Sequence, residues 1–138
     1  MVSSTSINVK TKGNCDLVDI TQMVAQKVEE VDIKTGTVTI FVAGSTAALT
    51  TIEFERGVLS DFCSMWERTV PGNIGYRHNE TWGDGNGHSH VRSSLLGPSL
   101  VVPFVNKKLT LGTWQQIVLV DFDVRARSRE VVLQIMGD

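Results

Sequence analysis

Ile117-Val118-Leu119-Val120-Asp121-Phe122 is the strongest strand of the chain, an apolar run rich in β-branched residues. Strand signals crowd around it. Ser99 to Val105 reads as a strand in which Pro103 marks an edge or a bulge, because proline cannot donate to a sheet ladder. Asn106-Lys107 makes a turn, Leu109 to Gly112 returns, and Gly112-Thr113-Trp114-Gln115-Gln116 leads into the central run. On its far side Arg125-Ala126-Arg127-Ser128-Arg129 leads into Val131 to Ile135. The three arginines, spaced by two, face one way if extended, and are read as a solvated edge rather than a phosphate site. Nearer the N-terminus, Ser4 to Lys12 alternates and reads as a strand ended by Gly13-Asn14. Thr37 to Val42 reads as a central strand with Val38, Ile40 and Val42 on one side and Phe41 on the other.

Two helices precede this strand-rich half. Asp19 stands as an N-cap with Gln22 three residues on, and Met23, Val24, Val28 and Val31 share one side of the helix that follows. Val58, Phe62, Met65, Trp66 and Val70 recur at helical spacing over Gly57 to Val70 until Pro71-Gly72 stops the run. Helices early and strands late give an α+β fold around an antiparallel or mixed sheet. The 138 residues fit a single domain spanning 1–138, with no repeat and no internal boundary.

A formal charge of −2 supplies no field for nucleic acid or a membrane surface, so neither is an expected partner. No apolar run approaches a bilayer span, and Met1 to Thr11 is not signal-like. Cys15 and Cys63 lie far apart and outside any C-x-x-C pattern, so they are expected as buried free thiols without a redox role. The expected compartment is the cytoplasm.

Chemistry is sought in Gly83-Asp84-Gly85-Asn86-Gly87-His88-Ser89-His90-Val91-Arg92-Ser93-Ser94-Leu95-Leu96-Gly97-Pro98. With His78 just upstream, every imidazole of the chain falls within 13 positions. Imidazole is the commonest metal ligand and titrates near neutrality. In extended chain His88 and His90 project to one face, whereas on a helix they would diverge by about 200°. Three glycines argue against helix, each costing roughly 1 kcal/mol inside one. The expectation is therefore an extended H-x-H with His78, His88 and His90 converging on one metal ion, followed by a short helical turn over Val91 to Leu96. The segment from Pro71 to Gly87 is expected to be a long irregular loop.

Gly44-Ser45-Thr46-Ala47-Ala48-Leu49-Thr50-Thr51 places four hydroxyls directly after a strand, able to hold phosphate oxygens although no P-loop motif is present. Glu53 gains interest if this segment folds back on the histidines.

Four segments together are similar to the YjbQ-like family: Gly44 to Thr50, Tyr76-Arg77-His78, Gly83 to Pro98, and Leu111-Gly112-Thr113-Trp114-Gln115. The resemblance covers nearly the whole chain. It implies an α+β fold with a β-sandwich-like sheet arrangement and a homotrimer. It also implies a polar site drawn from His78, His90 and the hydroxyls at 45–46. The family often carries a histidine where this chain has Gly44, a place that His88 is expected to fill.

The activity implied is that of a secondary thiamine-phosphate synthase, joining a hydroxymethylpyrimidine diphosphate to a thiazole phosphate with release of pyrophosphate. Under that expectation a His-bound cation and Arg92 take the pyrophosphate charge, and Ser45, Thr46, Ser93 and Ser94 hold phosphate oxygens. Asp84 is a ligand or orients an imidazole, and Trp114 and Gln115 complete a neighbour's site in the trimer. Three imidazoles suit zinc, whereas diphosphate chemistry suits magnesium. Two alternatives follow: a zinc-dependent hydrolase with Asp84 or Glu53 as base, and a non-enzymatic trimer that binds a metal or small anion.

Overall fold

The computed structural model describes residues 1–138. The chain runs β1 (Val2–Thr11), β2 (Asp16–Asp19), α1 (Thr21–Glu30), β3 (Gly36–Val42), β4 (Ala47–Ile52) and α2 (Arg56–Thr69). It continues α3 (Arg77–Trp82), α4 (Gly87–Leu96), β5 (Ser99–Val105), β6 (Lys108–Leu109), β7 (Gln116–Asp121) and β8 (Arg127–Gly137). The strands form a five-stranded sheet ordered β1-β8-β3-β5-β6 and a three-stranded sheet ordered β2-β7-β4. Every pairing is antiparallel. The class is α+β, as the order of elements required.

Alternation explains how the two sheets meet. Val38, Ile40 and Val42 of β3 are buried beside Val131, Leu133 and Ile135 of β8, and Phe41 between them is 44% exposed. Ile117 and Leu119 of β7 join that core with Val24 and Val28 of α1. Their neighbours Val118, Val120 and Phe122 face the other way, into a second cluster with Ala48 and with Trp66 of α2. β7 is therefore buried on both faces, which is why its run is continuously apolar. β3 is the middle strand of its sheet, as read from the sequence.

The β5–β6 turn takes φ 50° at Asn106 and 63° at Lys107, the left-handed pair of a tight hairpin. Lys107 Nζ then reaches back to the carbonyls of Glu29 and Val31, tying the end of α1 to this sheet.

Several expectations are corrected. There are four helices, not two: α3 lies within the segment expected to be irregular, and α4 occupies the stretch read as extended. The glycines punctuate these helices rather than interrupt them. Gly83, at φ 70°, closes α3 with its N–H on Asn79. Gly87 is the first residue of α4, where an added Cβ would stand 2.5 Å from Tyr76 Cβ. The penalty for helical glycine applies to interiors, and none lies in the interior of α4. Asp19 is not the N-cap, which is Ile20, and builds no capping box; its Oδ1 accepts from Thr21 N and Thr21 Oγ1 at the first helical residue. Residues 47–51 of the hydroxyl-rich segment belong to β4, leaving Gly44 to Thr46 as the connection. The expected return strand after Asn106-Lys107 shrinks to the two residues of β6. The arginines are not a solvated edge, since Arg129 is buried. No helix is long and apolar enough to cross a membrane.

Ile40 is fully buried on the central strand, so Ile40→Ala should lower stability by roughly 2–5 kcal/mol in urea unfolding. Exposed Glu130→Ala on β8 should stay within about 0.5 kcal/mol. Equal losses would mean that the two-sheet core is not where these side chains place it.

Candidate functional site

At the end of β7 the chain buries two carboxylates, Asp121 and Asp123. Arg129 of β8 grips Asp121 with Nε at 2.7 Å and Nη2 at 2.9 Å, a two-pronged pair suited to a planar guanidinium. Thr11 Oγ1 also donates to Asp121. Arg127 donates to Asp123 through Nε at 2.8 Å, Thr46 Oγ1 through a 3.1 Å bond, and Asn86 Nδ2 through a 3.3 Å bond. Burial alone would raise the Asp123 pKa, but donation from Val124 N–H, Arg127, Asn86 and Thr46 outweighs it and holds the carboxyl at about 2.

This cluster seats α4. Asn86 precedes the helix and rests on Asp123, while Gly87 N donates to Asn79 Oδ1 of α3 at 2.9 Å. Helical geometry then parts the histidines. His90 turns toward α3, its ring centroid 4.4 Å from that of His78, and Asp84 Oδ1 stands 3.5 Å from His78 Nδ1. His88 turns the other way, 6.1 Å from Tyr76 and against Gly72. Its burial, with the Arg92 charge second, lowers its pKa below the ordinary 6.5, so it packs as a neutral ring at pH 7. The expected convergence on one metal is therefore corrected. No three of the His, Cys, Asp and Glu side chains lie where they could hold a metal ion. The cause is the step of about 200° between positions two apart on a helix.

The same geometry gathers other residues. His90, Ser93 and Ser94 stand at i, i+3 and i+4 on α4 and share one face. They line a cavity of about 350 Å³ with Gly44, Ser45 and Pro98. Ser93 Oγ sits 2.8 Å from the Ser89 carbonyl and 3.0 Å from that of Ser45, bridging helix and strand connection. Ser94 Oγ donates to the Val91 carbonyl. Thr46 lies beneath, buried, accepting from Arg129 Nη2 at 2.6 Å. A Cβ placed on Gly44 would meet Arg129 Nη1 at 2.8 Å, so the guanidinium fills the space that a side chain at position 44 would need. Ser89 Oγ, Asn86 Oδ1, His88 Nδ1 and His78 Nδ1 are buried without a hydrogen-bond partner. Four orphaned polar atoms around one helix are uncommon in a native fold.

Other candidate residues lie elsewhere. Arg92 is buried under α2, where Nε donates to the Val70 carbonyl and Nη2 to Glu67, with its guanidinium over the Phe122 ring. Glu53 lines a separate cavity with Trp114, which is 73% exposed. Gln115 bonds Thr51 and Gly112 and lines a third cavity. Asp84 also borders a cavity of about 290 Å³ with Asn86, Asp123, Arg125 and Arg127. Chemically, His90 offers an imidazole nitrogen to the hydroxyl-lined cavity, with the His78 ring packed against it. Sequence reading passed over Asp121, Asp123, Asn86 and the inward-facing Arg129. Their signal was an acid inside the strongest strand followed by arginines at spacing two.

Residues 5–138 match the sequence profile of the family described as UPF0047 protein YjbQ-like. A UPF0047 protein of Archaeoglobus fulgidus is 38% identical over 94% of this chain and 98% of its own. One from Methanothermobacter thermautotrophicus is 38% identical over 99% and 93%. A Sulfolobus solfataricus crystal structure, described as a YbjQ-like protein of unknown function, superposes with a TM-score of 0.94 at 38% identity. It covers 100% of this chain and 99% of the other. None of these descriptions carries a thiamine-phosphate synthase activity. With no three-ligand metal cluster formed either, the transferase expectation, the zinc-hydrolase alternative and metal binding by the trimer are overturned.

The Asp123 carboxyl, held at about 2, contributes stability that is complete above the ordinary 3.8 and lost as pH falls through about 2. Acid titration followed by circular dichroism should show that loss, and Asp123→Asn should flatten the slope in the same window. An unchanged slope in the variant would remove Asp123 from the account.

Proposed function

The chain belongs to the UPF0047 family of YjbQ-like proteins, and from that premise we propose that it binds the phosphate group of a small phosphorylated molecule in the cleft between Ser45 and α4. One observation carries this reading: Ser45 and the helical triplet His90, Ser93 and Ser94 share one cavity, with His78 4.4 Å behind His90. Hydroxyls and imidazole N–H groups are phosphate donors, and a protonated ring adds charge without a metal. Both serine hydroxyls now bond backbone carbonyls, so a ligand recruits them by rotation of a single torsion. The His78 ring packs behind that of His90, and Asp84 Oδ1 stands 3.5 Å from His78 Nδ1. In the same reading the compartment is the cytoplasm, which suits two free cysteines. Three copies assemble as a homotrimer, for which the exposed Phe41, Val101 and Val105 on the outer face of the larger sheet supply apolar surface.

Inorganic phosphate at about 10 mM should raise the melting temperature by roughly 2 °C or more over chloride at equal ionic strength. His90→Gln and Ser94→Ala should abolish that rise while leaving the phosphate-free melting temperature within a few degrees of the parent. A rise that survives in both variants, or that chloride reproduces, would overturn the binding site. Light scattering should return three times the 15.2 kDa chain mass, and a monomer would remove the trimer from the reading.

A further inference from the structure

Away from the cleft, the fold joins two residues 48 positions apart. Gly13, Asn14 and Cys15 take φ values of 82°, 57° and 63°, a left-handed run that reverses the chain between β1 and β2. Non-glycine side chains seldom adopt that conformation, and it concentrates at functional positions. The reversal presents Cys15 to α2, where Cys63 Sγ lies 3.3 Å from the Cys15 carbonyl oxygen. Both cysteines are free and only partly buried. They open onto a cavity of about 500 Å³ bordered by Asp16, Ser60 and Glu67. Inert structural thiols sit deep in apolar surroundings, whereas these two are only partly buried and border an open cavity of mixed lining.

We propose that Cys63 and Cys15 form a peroxide-reactive dithiol site, with Cys63 attacking, Cys15 resolving, and a disulfide joining α2 to the β1–β2 turn. Two inequivalent thiols are what such a sequence requires. Interaction with the Cys15 side chain lowers the Cys63 pKa and the Arg92 charge adds to this, against burial and the nearby Glu67. Interaction with Cys63 and burial raise that of Cys15. Cys63, whose Sγ already reaches the Cys15 carbonyl at 3.3 Å, takes the attacking role.

In the first step the Cys63 thiolate attacks one oxygen of hydrogen peroxide. An S–O bond forms, the O–O bond breaks, and the departing hydroxide takes a proton to become water. In the second, Cys15 loses its proton and its sulfur attacks the Cys63 sulfenic acid. An S–S bond forms, the S–O bond breaks, and a second water leaves. The two thiols lose two electrons together, and one peroxide becomes two waters. A low-molecular-weight thiol reverses the change by thiol–disulfide exchange.

Stoichiometric hydrogen peroxide added to the folded native chain tests this without any variant. Intact mass under non-reducing conditions should fall by about two units, both free thiols should vanish together, and a reducing thiol should restore them. Closing a loop of this length should raise the melting temperature by roughly 5 °C or more. In Cys15→Ser a dione probe should trap a sulfenic acid at Cys63. In Cys63→Ser, Cys15 should react roughly tenfold more slowly or less. Oxidation only after unfolding, disulfides only between chains, or equal rates at the two sulfurs would each overturn the proposal.

Discussion

The Arg129–Asp121 pair is the interaction on which the remaining architecture leans. It joins β8 of the larger sheet to β7 of the smaller one, with 2.7 Å and 2.9 Å bonds in a site where both side chains are buried. Thr11 adds β1, Thr46 adds the connection into β4, and Asn86 adds the start of α4 through Asp123. Replacing such a pair with apolar residues is often neutral, but deleting one partner strands a buried charge at a cost of about 3–5 kcal/mol. Its contribution is directional. Sheets packed by aliphatic side chains alone tolerate sliding, whereas a forked guanidinium accepts one register.

The cleft is a consequence of that anchoring. With Asn86 fixed on Asp123, the helical rise and twist of α4 determine which residues look toward Ser45 and which toward Tyr76. His90, Ser93 and Ser94 look one way; His88 looks another; Arg92 dives beneath α2 to Glu67. A single rotation along a ten-residue helix thus separates groups that stand almost adjacent in sequence. It also unites one of them with a serine from a different strand connection.

Strands and core were legible because a period of two survives any reasonable context: Val38, Ile40 and Val42 read as one side of a central strand, and that side is buried. The run at Ile117 to Phe122 read as the strongest strand, and its unbroken apolar character matches burial on both faces. The histidine stretch misled because glycine at 83, 85 and 87 weighs against helix only when it lies inside one, and here Gly83 closes α3, Gly87 opens α4 and Gly85 lies between them. Once the stretch is helical, a pattern suited to metal ligation in a strand becomes a pattern that disperses its ligands. The arginines misled differently. Spacing by two located one face but not its direction, and only the acids at 121 and 123 reveal that Arg129 turns inward. The cysteines offered no local signal, since their meeting depends on a left-handed turn and a helix packed from 48 residues away.

Gly44 and Arg129 occupy one volume between them. A side chain at 44 would begin 2.8 Å from Arg129 Nη1, while Nε and Nη2 of that guanidinium are already bound to Asp121 and Thr46. A side chain at 44 would therefore force Arg129 to shift or to give up one of those bonds. The open cleft wall at that position is thus set from beneath, by the guanidinium that the ion pair holds in place.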